Sequence, residues 1–323
     1  MSTAIGSLII DVEGKELTPE ERELLAHPIV GGVILFTRNY DSRQQLIQLC
    51  QTIRQSRKKP LLIMADQEGG RVQRFIPEFS RLPPMGDFEK IHDEDPMRAS
   101  QLAKDCGRLM ASELLSTGID ISLAPVLDLN KGMSSVIGAR AFHSDPQGVI
   151  SLAGAFIQGM KEAGMVATGK HFPGHGSVAL DSHVAMPVDH RSFEDIAQED
   201  LIPFMGLIQQ NISALMAAHI IFPQVDNLAV GYSAKWLKDI LRSQLGFKGV
   251  LFSDDLNMEG ANISANHADR VQAAKEAGCD FTLLCNNRPG VITALDTLKL
   301  SSHQVSEEKW AAMKGRMKHE NAR

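Results

Sequence analysis

The sequence predicts an α/β chain folded as one (β/α)8 TIM barrel, and three observations carry that expectation. Short apolar runs rich in β-branched residues recur eight times along the chain. Helical patterns with recognisable ends lie between them. A length of 323 residues is ordinary for a barrel of this kind. The expected organisation is one catalytic domain over 1–323, with a short charged tail from about 305.

The runs fall at 7–12, 32–37, 61–65, 119–127, 165–169, 214–221, 250–253 and 281–285. Most are continuously apolar rather than alternating, as strands of a parallel sheet covered on both faces are. Among the helices, Asp95 is placed as an N-cap with Pro96 at the first helical position and Gly118 as the stop. A second pattern at 233–245 puts Trp236, Leu237, Ile240, Leu241 and Leu245 on one face. The stretch 71–95, with Pro77, Pro83 and Pro84, is too long for a plain loop and reads as an irregular cover near the barrel mouth. The tail after Gln304 reads as a short charged helix and a frayed end. A doubly wound open sheet is the alternative, but no phosphate-binding glycine motif follows the first run.

Composition narrows the function. Hydrophobic residues at 43% and charged residues at 22% allow a large core. A net charge of −6 and a pI near 6.0 argue against nucleic acid or a membrane surface as partner. Cys50, Cys106, Cys279 and Cys285 form no CxxC pair and read as buried thiols. No stretch resembles a signal peptide or a membrane span, so the expected location is cytoplasmic.

Barrel enzymes concentrate their chemistry at the C-terminal ends of the strands. Here those ends carry Asp11 and Glu13, then Asp66, Glu68, Arg71 and Arg74, then Asp128 and Arg140, then Lys170 and His171, then His219, then Asp254 and Asp255. After the fifth run comes "KHFPGHGSVALDSH", residues 170–183. Pro173, Gly174 and Gly176 give this loop sharp turns. Asp181 and His183 are one residue apart, close enough for the carboxylate to hold the imidazole and fix its tautomer. An imidazole with a pKa of about 6.5 suits acid/base work.

Two chemistries remain open at this level. His171, His175, His183 and His219 could be metal ligands, although the first run, "IIDVEG", lacks the paired histidines such barrels use. Alternatively a strand-end carboxylate attacks an acetal carbon while a loop histidine moves the proton. Asp254 follows an apolar strand directly and is aimed at the barrel axis, whereas Asp255 points elsewhere if the strand stays extended. Plain binding without catalysis explains a polar mouth but not the Asp–X–His pair.

"KHFPGHGSVALDSH" and "LRSQLGFKGVLFSDDLNM" closely resemble the two signatures of glycoside hydrolase family 3, in its single-domain bacterial β-N-acetylglucosaminidase branch. The likeness continues through "SLIIDVEG", "VGGVILFTRN", "ADQEGGRVQRF", "SVIGARAFH" and "FTLLCNN". It implies Asp254 as nucleophile, His183 as acid/base, and Asp181 as the group that orients His183. It further implies that Asp66, Arg74, Arg140, Lys170 and His171 hold the sugar. The implied reaction is retaining release of terminal N-acetylglucosamine from 1,6-anhydro-N-acetylmuramic acid fragments in cell-wall recycling. No metal or organic cofactor is implied, and the partner is a small carbohydrate; a monomer is the default expectation. Phosphorolysis stays open, since a histidine acid/base leaves room for an anionic acceptor. The loop 172–183 is expected to close over bound sugar. Alanines at 139 and 141 depart from the polar residues often found there, softening the surroundings of Arg140.

Overall fold

The apolar runs become eight parallel strands: β1 Leu8–Asp11, β2 Val30–Leu35, β3 Leu62–Ala65, β4 Ile121–Ser122, β5 Thr168–Phe172, β6 Ala214–Ala217, β7 Val250–Asp255 and β8 Phe281–Leu284. The structure, a computed structural model, describes residues 5–178 and 186–316. The strands lie in the order β4-β3-β2-β1-β8-β7-β6-β5, so each neighbours the next in the chain. The gap between β4 and β5 is bridged by backbone hydrogen bonds. Thr168 N donates to Ala124 O at 2.8 Å, Lys170 N to Pro125 O at 3.1 Å, and Leu127 N to Lys170 O at 2.6 Å. The expected (β/α)8 class is borne out.

Strand limits differ from expectation for local reasons. The run 119–127 yields only two strand residues, because Pro125 has no N–H to give to a ladder. The fifth strand starts and ends three residues late and so takes Lys170 and His171 into the sheet. The run 214–221 splits, its end pairing in a separate hairpin, Ile221–Phe222 with Asp226–Ala229. The long helix is Pro96–Thr117, capped by Asp95 and stopped by Gly118 in the left-handed conformation. The segment predicted at 233–245 winds as a π-helix, Lys235–Gln244, with Leu245 N bonded to Ile240 O at 2.8 Å. Its face of Trp236, Leu237, Ile240 and Leu241 is buried, and Leu245 only partly so. The cover after β3 holds a small hairpin, Gln67–Gly69 with Val72–Gln73, and a helix, Asp87–Glu94. Among the described residues no helix is long and apolar enough to cross a membrane.

Side chains alternate between two cores. Ile9, Met64, Ile121, Met216, Phe252 and Phe281 fill the barrel interior. Ile10, Ile63 and Leu251 point outward and pack with Leu114, Phe156 and Trp236 of the helical layer. The interior core is stoppered below by Ile5, Val305 and Met313. Ile5–Gly6 pairs with Gln304–Val305, and the helix Glu307–Met313 follows. The short charged helix expected after Gln304 is thus present, and the docked segment runs to residue 316, where Arg316 N donates to Gly164 O at 3.0 Å. What turns the charged tail into a stopper is the pair of acids that receive Lys309 and Lys314.

Those acids form a repeated clamp. Asp120, entering β4, binds Arg54 at 3.0 Å, Lys314 at 2.8 Å and Ile63 N at 3.0 Å. Asp280, entering β8, binds Arg242 at 2.9 Å, Lys309 at 2.6 Å and Leu251 N at 2.9 Å. Each acid follows a helix-ending glycine, Gly118 (φ 96°) or Gly278 (φ 130°). The strand register repeats too, Met64 facing Ile121 as Phe252 faces Phe281. In this correspondence Asp66 at the end of β3 and Asp254 at the end of β7 occupy the same place.

Candidate active site

The upper ends of the strands converge on one cavity of about 350 Å³. Asp66 leaves β3, and the turn at Gly69 and Gly70, both with positive φ, folds Glu68, Arg71 and Arg74 over the mouth. The turn Gly138–Arg140 brings Arg140, β5 brings Lys170 and His171, its exit brings His175, and β7 brings Asp254. A recess of about 130 Å³ lies against the same Asp66, Arg74, Lys170 and Asp254, lined also by Met216, Leu283 and Cys285 of the interior core.

The wall of the cavity is an unbroken chain of alternating charge. Arg74 reaches Asp66 at 3.1 Å, and Asp66 receives Lys170 at 2.8 Å. Lys170 also reaches Glu68 at 2.7 Å, and Glu68 is held by Arg140 through two bonds of 2.8 Å. Burying such groups is costly unless each keeps a partner, and here each does. Burial pushes the Asp66 and Glu68 pKa values up, but Lys170 with Arg74 or Arg140 more than offsets it, holding both carboxyls below the ordinary range. Burial works against the Lys170 ammonium, and Asp66 and Glu68 outweigh it, so its pKa is raised. Of three ammonium donors two are engaged in this chain, leaving one for a ligand. Asp66 likewise keeps acceptor capacity for hydroxyl groups.

A second cluster lies under the opposite wall. Buried Asp128 accepts from His171 Nδ1 at 2.7 Å, His171 N at 3.2 Å and His175 N at 2.8 Å. Burial raises the Asp128 pKa, but His171 and the other donors overcome it and bring it below the usual value. Burial, then the nearby His171, pushes the His175 pKa down.

Asp254 and Asp255 are adjacent yet different. Burial disfavours the Asp254 carboxylate, but His171, His219, the Asp255 N–H and Lys170 prevail, so its pKa is lowered. That N–H donates to Asp254 Oδ1 at 2.8 Å. Burial pushes Asp255 up to about 7. Its Oδ1 accepts from Asn257 N and Cys285 N, both at 3.0 Å, and so ties the end of β7 to β8. His219 Nε2 donates to Asp255 O at 3.2 Å, the ring stacks on Tyr232, and burial lowers its pKa.

Asp66, Arg74, Arg140, Lys170, His171 and Asp254 are thus brought to one cavity. Asp181 and His183 lie outside the described residues. Asp11 and Glu13 do not line the cavity; Asp11 pairs with Arg38 and Glu13 lies 3.6 Å from Arg288. Ala139 and Ala141 leave Arg140 with its two bonds to Glu68 and one to Val136 O at 3.2 Å. Glu68 and Asp128 had no assigned role from sequence. The signal for Glu68 was the Gly69-Gly70 turn, which folds flanking charges onto the site; Asp128 carried none beyond its strand-end place. Among the described residues the one His/Asp group with metal-ligand spacing, His92, Asp93 and His143, lies away from the cavity.

Residues 4–311 match the glycosyl hydrolase family 3 N-terminal domain. The chain belongs to glycosyl hydrolase family 3. Its relatives in that family include the β-hexosaminidase of Tolumonas auensis, 55% identical over 91% of this chain and 87% of that protein. The β-hexosaminidase of Haemophilus influenzae is 50% identical over 93% and 85%. Among solved structures, NagZ from Neisseria gonorrhoeae in complex with N-trifluoroacetyl-D-glucosamine superposes with a TM-score of 0.92 at 42% identity, covering 98% of this chain and 92% of that one. This member of family 3 is thus a glycoside hydrolase of the β-N-acetylhexosaminidase type.

Proposed function

We propose that the chain is a retaining exo-β-N-acetylglucosaminidase acting on peptidoglycan fragments, N-acetylglucosamine joined to 1,6-anhydro-N-acetylmuramic acid with or without peptide. The observation that carries this reading is Asp254, half-buried at the end of β7 and favoured as a carboxylate in the cavity that the charge chain walls. A carboxylate so held is a ready nucleophile toward an anomeric carbon. Asp254 attacks that carbon as the glycosidic bond breaks, and the leaving oxygen takes a proton from His183, which Asp181 orients. His183 then removes a proton from water, which resolves the glycosyl ester with net retention. Asp66, Arg74, Arg140, Lys170 and His171 hold the sugar hydroxyl and acetamido groups. The N-acylglucosamine bound to the Neisseria relative supports an acetamido sugar as substrate. The setting is cell-wall recycling in the cytoplasm, with no metal required.

The test is hydrolysis of an aryl β-N-acetylglucosaminide by wild type, Asp254→Ala and His183→Ala, with an aryl β-glucoside, EDTA and phosphate as further arms. Asp254→Ala should lose at least ~10⁴-fold in kcat. His183→Ala should lose on the order of 10²–10⁴-fold with a poor leaving group and less with a good one. Activity removed by EDTA, or surviving Asp254→Ala, overturns the covalent mechanism; N-acetylglucosamine 1-phosphate formed with phosphate makes the enzyme a phosphorylase.

A further inference from the structure

Asp128 is almost fully buried, 1% exposed, and is not among the residues that line the cavity. It therefore touches no substrate, yet its carboxylate accepts three hydrogen bonds, all from residues at the end of β5 and its exit. A carboxylate can only accept, so His171 Nδ1 is the donor and carries the proton. Nε2 is then the ring nitrogen left for the cavity that His171 and Asp254 share. Turning the ring away would strand a buried carboxylate without its partner, which is strongly unfavourable.

We propose that Asp128 is a positioning residue of the reaction, acting through His171: it fixes the ring so that Nε2 faces the cavity beside Asp254. This rests on Asp254 being the nucleophile. Asp128 lies behind the ring, bonded to Nδ1, and Asp254 lines the cavity with it. Among the charged neighbours of Asp254, His171 contributes most toward ionisation. Among the described residues the other titratable or charged groups around Asp254 are Asp66, Glu68, Arg71 and Arg74 after β3, Arg140 after β4, Lys170 and His175 from β5 and its exit, His219 beyond β6, Asp255 on β7 and Cys285 after β8.

The sign follows directly. Asn at position 128 can still accept from Nδ1 but more weakly than a carboxylate, so the ring is held less firmly beside Asp254, its support for the Asp254 carboxylate falls, and the Asp254 pKa rises. Asp254 is then protonated at a higher pH, and the acid limb of kcat/KM moves upward. The experiment measures kcat/KM against pH on an aryl β-N-acetylglucosaminide for wild type, Asp128→Asn, His171→Gln, the double variant and Asp254→Ala, with thermal unfolding of each. Asp128→Asn should lose on the order of 10²-fold in kcat with its acid limb displaced upward. His171→Gln should show the same displacement, and the double variant no more than His171→Gln alone. If Asp128→Asn melts earlier but keeps the wild-type acid limb, Asp128 is structural and the proposal is overturned. Full additivity with His171→Gln overturns it as well. Should Asp128→Asn fail to fold, the acid limb of His171→Gln decides, and an unmoved limb overturns the relay. Activity in Asp254→Ala would instead sink the nucleophile reading itself, whatever position 128 does.

Discussion

Glu68 sits between two cations, Arg140 on one side and Lys170 on the other, with 3% of its surface exposed. If that carboxylate is neutralised, Arg140 loses both bonds to it and Lys170 keeps only Asp66. Glu68→Gln should therefore destabilise the fold by roughly 3–5 kcal/mol and raise KM for the acetamido sugar. Thermal unfolding and steady-state kinetics check this; a variant with unchanged Tm and KM would mean that the charge chain is dispensable. At this scale the residue types were legible and the pairings were not. Asp254 could be placed because an apolar strand runs straight into it. The partnership of Glu68 with Arg140 depends on a loop closing across 72 residues of chain, which no local pattern encodes. Asp128 was visible as a charge at a strand end, but its bond to His171 exists only once the barrel closes between β4 and β5.

The exit of β5 is the element on which the site depends most. A Cβ at Gly176 would lie 2.0 Å from Leu129 O, and a backbone oxygen cannot give way as a flexible side chain does. Further along, Ser177 bonds both oxygens of Asp200, at 3.1 and 3.2 Å. Beyond residues 179–185, Arg191 returns to the same Asp200 at 2.6 Å. One buried acid thus anchors the chain on both sides of the segment that carries Asp181 and His183. Gly176→Ala should force Leu129 and the loop apart, costing about 1–3 kcal/mol and roughly tenfold or more in kcat. Calorimetry and kinetics on that variant decide, and wild-type values in both would contradict the close approach. Of the elements, those with strong local signals were legible: continuous apolar strands, and a helix with its own N-cap, proline and terminal glycine. The π-winding of Lys235–Gln244 was not, since its apolar face is compatible with an ordinary helix.

Across the whole molecule the two ends of the barrel do separate work. The cavity is at the upper end, and the stopper of Ile5, Val305 and Met313 is at the lower. Deleting 305–323 removes two buried apolar side chains and one cation from each of Asp120 and Asp280. The loss should be at least roughly 4 kcal/mol from the apolar burial alone, lowering Tm, while kcat/KM of the protein that remains folded stays near wild type. A truncated chain that melts with the full one would show that the tail merely decorates the barrel. The short charged helix of the tail was legible, but its docking was not, because Lys309 and Lys314 look solvated until the acids at the feet of β4 and β8 are seen.

The two clamps also bear on ancestry. Arginine, buried acid, terminal glycine and strand register recur in the same order in the two halves of the chain, as they would if a gene for four strands and their helices had been copied and joined end to end. Asp66 and Asp254 would then descend from one ancestral position. In the mechanism proposed above, one copy grips the sugar and the other attacks it, a division of labour between twins that began as the same carboxylate.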